Sequence, residues 1–115
     1  MDESSNTTAA EGVLTPARVA ASALQQAARH ERALQACLAE LDGIDEPDGH
    51  LAETTRRRAS RHAERALGLT RTAIRLNRDP LAEAFLAALL ERHERNALRA
   101  QHIPSATTVA LPTAG

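Results

Sequence analysis

Glu31, His62 and His93 stand where helical spacing would otherwise place apolar residues, and they are the residues whose types could do chemistry together. A carboxylate and two imidazoles at one level of a helical bundle could hold a divalent metal, or form a buried hydrogen-bonded pair that titrates near neutral pH. Neither Glu-x-x-His nor His-Glu-x-x-His occurs in the chain, so the well-known helical metal spacings are missing and no metal or other cofactor is expected. A polar layer that fixes helix register is the plainer reading of the three. Cys37, beside Leu38, reads as a small buried hydrophobe, while His30 and His102 are expected at the surface. With no Gly-rich phosphate loop, no Ser nucleophile signature and no Cys/His pair at evident spacing, the chain is expected not to be an enzyme.

A second constellation is electrostatic. All 14 basic residues are Arg, each with a fixed charge and a planar donor fork, and eight of them fall in residues 50–78 against two Glu, a local net of +6. Residues 1–49 carry three Arg against nine acidic groups, a net of −6. At 100° per residue Arg57, Arg61, Arg71, Arg75 and Arg78 lie opposite Ala59, Ala66 and Ala73, so a basic stripe should face outward. Such a stripe is most often simply solvated; as a binding surface it suits an acidic protein partner first and nucleic-acid phosphates second.

Three helices must position these groups. Thr15-Pro16 is an N-cap followed by proline at the first helical position, and Leu41-Asp42-Gly43 marks a stop, giving a helix over 16–42. Pro47 lies in a turn over 43–49, periodicity resumes over 50–77, and Asp79-Pro80 repeats the cap-plus-proline start of a helix running to about His102. A 3,4 spacing picks Ala17, Ala20, Leu24, Ala27, Glu31, Leu34, Leu38 and Leu41 in the first helix, and Ala52, Thr55, Ala59, His62, Ala66, Leu69, Ala73 and Leu76 in the second. Paired as an antiparallel hairpin, with residue numbers summing to a constant, these seams set Glu31 against His62. The short connection at Arg78-Asp79 then brings His93 near the same level.

The string Arg-His-Glu-Arg recurs in variant form at residues 29–34, 61–67 and 92–98, each time carrying a histidine in second place: His30, His62 and His93. An Arg/Glu/Ala/Leu-rich chain generates such strings readily, so the recurrence is weak evidence of duplicated helices.

Leu67-Gly68-Leu69-Thr70-Arg71-Thr72-Ala73-Ile74 resembles the turn and recognition-helix start of helix-turn-helix DNA-binding proteins. The resemblance implies that Gly68 makes the turn, that Thr70, Arg71 and Thr72 open a recognition helix, and that residues 63–78 contact DNA. It covers fewer than 20 residues, and Glu64 stands where that family usually has a small residue at the helix crossing. The hairpin seam runs through Gly68 without a break, which favours one continuous helix with a weak point at Gly68.

Composition agrees with a small helical domain. Ala and Leu supply most of the 43% apolar content and aromatics are 1% of the chain, a balance that favours closely packed helices over sheets. The expected fold is all-α: an antiparallel three-helix bundle built on a long helical hairpin, over residues 15–103, with disordered tails at 1–14 and 104–115. A cytoplasmic protein is expected, since Met1-Asp2-Glu3 opens no secretory signal, no apolar run approaches a membrane span and the lone Cys37 suits a reducing compartment. The expected role is that of a small regulatory or adaptor protein working through helix-mediated protein contacts. Leu81, Leu90 and Leu98 are available for self-association; a DNA-binding regulator and a metal-binding bundle are the alternatives.

Overall fold

The computed structural model describes residues 15–46 and 48–102; Pro47, Ile103 and the two expected tails lie outside the described residues. Within them the chain is all-α. Helix α1 spans Pro16–Asp42, α2 spans His50–Leu76, and a single 3-10 turn at Pro80–Ala82 leads into α3 over Glu83–Gln101. The starts follow from local chemistry. Thr15 Oγ1 accepts from the Arg18 amide at 3.1 Å, and Pro16 occupies a position whose N–H would be unpaired anyway. Asp79 Oδ1 accepts from the Leu81 amide at 3.0 Å, while the Asp79 amide donates to Asn77 Oδ1 at 3.1 Å, pinning the reversal between α2 and α3.

Helix α2 is the middle of the bundle. Ala52, Thr55, Ala59, Ala63, Ala66, Leu67, Thr70 and Ala73 are all buried, a wider stripe than one partner could cover, because α1 and α3 pack on adjoining flanks. Small side chains allow that close double packing. The buried hydroxyls of Thr55 and Thr70 donate to their own i−4 carbonyls, Leu51 at 2.8 Å and Ala66 at 2.9 Å, and so need no partner across the interface. One core cluster joins all three helices: Leu34 and Cys37 from α1, Ala59, Ala63 and Leu67 from α2, Ala97 and Ala100 from α3. Cys37 is buried, as a small hydrophobe should be. Among the described residues, no helix is long and apolar enough to cross a membrane.

Helix α2 runs unbroken through Gly68, the continuous helix that the seam favours, so the turn that the helix-turn-helix resemblance implies within residues 63–78 is not formed. The apolar stripe continues across Gly68 through Ala66, Leu67, Thr70 and Ala73, all buried, and packing of that face keeps the helix intact despite the glycine.

Candidate functional site

The outer helices set the shape of the cleft. α1 and α3 both pack on α2, yet among the described residues no Cα of α1 comes within 8 Å of a Cα of α3. A cleft therefore runs between them. Its wider end, about 580 Å³, is walled by Ala20 and Leu24 of α1 and Phe85 and Leu86 of α3, and floored by Ala73 and Leu76 of α2. A narrower stretch of about 230 Å³ continues past Leu24, Ala27 and Ala28 on one side and Phe85, Leu89 and His93 on the other, as far as Glu31 and Arg92. Phe85 in its wall is apolar and 60% exposed. Ala17, Ala20 and Leu24 were expected against α2, but the residues that α1 buries are Ala23, Ala27, Leu34 and Cys37, which leaves Ala17 exposed and Leu24 half-buried in the cleft.

Glu31 closes the narrow end. Its carboxylate accepts from Arg92 Nη2 at 2.8 Å and from Asn96 Nδ2 at 3.2 Å, both on α3. His93 is 2% exposed beside it, and its Nδ1 is buried with no hydrogen-bond partner. Burial lowers the His93 pKa below the usual imidazole value; the nearby Glu31 carboxylate works against that shift, and Arg92 adds to it.

The three-residue layer of Glu31, His62 and His93 does not assemble. His62 meets His30, not Glu31, with the two Nδ1 atoms 3.0 Å apart. Among the described residues no three His, Cys, Asp or Glu groups converge on a possible metal position. Two geometric reasons account for this. Along the α1–α2 hairpin, one residue of register turns α1 by about 100°, so His30 faces α2 and Glu31 faces α3. Between α2 and α3, the pairs Arg71–Glu94 and Glu64–Gln101 both sum to 165, so His62 lies opposite the C-terminal end of α3. His93 instead stands beside Glu31 in the α1–α3 cleft, on a different flank of α1 from the His30–His62 contact. His30, expected at the surface, is half-buried by this pairing, whereas His102 is exposed.

No protein-family model, curated protein or solved structure matches this chain.

The arginines of the expected stripe are all exposed, but they do not act alike. Arg57 pairs with Glu53 at 3.1 Å and Arg71 approaches Glu94 at 3.9 Å, while Arg75 donates to Thr72 Oγ1 at 3.2 Å. Arg61 and Arg78 have no ion pair among the described residues. Arg78 is also not on the helix face, because α2 ends at Leu76; it lines the wide end of the cleft instead. Of the three leucines considered for self-association, Leu81 and Leu98 are exposed, but Leu90 packs against the core cluster. Sequence reasoning missed the cleft, because its walls belong to stripes that look like core when each helix is read alone.

Proposed function

We propose that this chain is a non-enzymatic interaction module whose α1–α3 cleft receives an amphipathic helix from a protein partner. One observation carries the reading: two outer helices are held apart, with Ala73 and Leu76 of α2 flooring the wide end of the gap and Leu24 and the exposed Phe85 lining it from either side. A fourth helix laid in that cleft would bury Leu24 and Phe85 and complete a four-helix arrangement. Its apolar stripe meets Ala20, Leu24, Phe85 and Leu86. Arg78, which has no ion pair among the described residues, and Asp79 both line the wide end, so the partner helix sets an acidic group against Arg78 and keeps it clear of Asp79. A regulatory or adaptor role follows from such a site, since occupying it requires no chemistry.

The test uses a designed peptide of about 18 residues, long enough for roughly 27 Å of helix, with Leu on one face and Glu elsewhere. Binding to the full chain by fluorescence anisotropy should weaken at least tenfold in Phe85→Asp and severalfold in Arg78→Glu. Sedimentation of the protein alone is run in parallel. A dimer dissolved by Phe85→Asp would make the occupant a second copy of this chain. No peptide binding, or binding indifferent to both substitutions, removes the cleft as the site. Duplex DNA binding that is steeply salt-dependent and lost in an Arg71→Ala, Arg75→Ala double variant would support the nucleic-acid reading instead.

A further inference from the structure

On a different flank of α1, away from the cleft, His30 and His62 face one another across the helical hairpin. Their Nδ1 atoms are 3.0 Å apart, their ring centroids 5.2 Å apart and their planes inclined by 37°. Both rings are half-buried, and an open depression of about 430 Å³ adjoins them, lined by Ser22, Gln25, Gln26, Arg29 and Ala33. We propose that His30 and His62 form a two-ligand site for an imidazole-preferring divalent transition ion, which would bridge α1 and α2.

Geometry supports this. Two imidazole nitrogens at about 2.0–2.1 Å from one ion are about 2.9 Å apart in a square-planar cis arrangement and about 3.3 Å apart in a tetrahedral one. The observed 3.0 Å falls between them. Two rings on a tetrahedral ion would keep centroids about 5.2 Å apart, the separation already present, so small ring rotations suffice to turn both lone pairs toward a common point. In the hydrogen-bonded pair one Nδ1 carries a proton and the other does not. When an ion enters, that proton moves to the same ring's Nε2 through solvent, both rings stay neutral, and no net proton is released. Water in the adjoining depression, or a side chain from its lining such as Gln25 or Gln26, would complete the coordination.

The charged neighbours select the ion. Arg29 on the depression and Arg65 near His30 oppose any cation, so only ions with strong imidazole preference overcome them: Cu2+, Ni2+ and Zn2+, with Mg2+ and Ca2+ rejected. A bridge between two helices holds only in the folded chain, so binding stabilises the fold.

Ni2+ is the probe, because it does not oxidise the Cys37 thiol. Far-UV circular dichroism follows melting, since the chain has no Trp or Tyr. The full chain should gain roughly 5–15 °C in Tm at a hundredfold excess over Kd, reversed by a chelator. His30→Gln and His62→Gln should each weaken binding at least tenfold, and His102→Gln should leave it unchanged. If either Gln variant folds poorly, histidine ring NMR signals of the wild type decide: Ni2+ should broaden those of His30 and His62 before those of His50, His93 and His102. No Tm rise at millimolar Ni2+, a rise of equal size in both Gln variants, or broadening centred on another histidine would overturn the site.

Discussion

Arg92 on α3 donates to Glu31 on α1 at 2.8 Å, and the same carboxylate takes a second hydrogen bond from Asn96, so one acidic side chain ties together two helices whose backbones stay apart. Glu31 is 18% exposed and Arg92 50%, which leaves the pair partly screened. Glu31→Ala should cost about 1–2 kcal/mol, because it also strands the Asn96 amide. Measured by hydrogen exchange, the loss should appear first in α3. Equal loosening of all three helices would show that Glu31 has no special hold on α3.

Gly68→Ala should stabilise the protein by about 0.5–1 kcal/mol. Gly68 lies inside α2, exposed, and beyond its chain neighbours and its own helix backbone nothing stands within 4 Å of where a Cβ would be. A glycine needed for a helix-turn-helix turn would give the opposite sign, so a melting curve on this one variant separates the two geometries.

Leu34→Ala should cost about 3–4 kcal/mol. Leu34 is 2% exposed and sits in a cluster whose α2 and α3 members are, apart from Leu67, all alanines. Methyl groups fixed on helix backbones cannot move in to fill the space. A denaturant titration giving less than about 1.5 kcal/mol would show that the helices collapse onto the gap.

Stability should fall as the pH drops from about 7.5 to 5. His93 and His30 both have folded pKa values below the ordinary 6.5, so below that value the unfolded chain binds protons that the folded chain resists. The stabilisation is complete above about 6.5 and is lost progressively beneath it. Glu53, whose carboxyl is held below its ordinary value mainly by its hydrogen bond from Arg56, contributes nothing in this window, because it stays ionised in both states. Melting temperatures should therefore decline across the range, and His93→Gln should flatten the slope. A flat profile in the wild type would place both imidazoles in better-solvated surroundings than the structure shows.

Helix positions were legible in the sequence because caps are local. Thr15-Pro16, Asp42-Gly43 and Asp79-Pro80 each act within one turn of chain, and α1 and α2 fall over 16–42 and 50–76, against the 16–42 and 50–77 read from those signals. In the third helix the first turn is 3-10, which the cap-plus-proline signal does not distinguish from α. The residues that α3 buries, Leu86, His93, Asn96 and Ala100 among them, recur at 3,4 spacing in the sequence. The histidine pair had a trace in the recurring Arg-His strings, where His30 and His62 hold equivalent places. That trace pointed to similar helices and gave no indication that the two rings touch.

What the sequence by itself determined is therefore the set of elements and the residues each would turn inward, since periodicity and capping depend only on neighbours within a few positions. Tertiary structure alone decided which inward residue meets which. An apolar stripe on α1 suits α2 or a cleft equally well, and a one-residue change of register exchanges Glu31 for His30 opposite His62. The packing of α3 on the Glu31 flank of α1, tied by Arg92 and Asn96, carries His93 to Glu31 and away from His62. Contacts between helices depend on rotation and translation of whole rods, and those are fixed by the packing of all three at once.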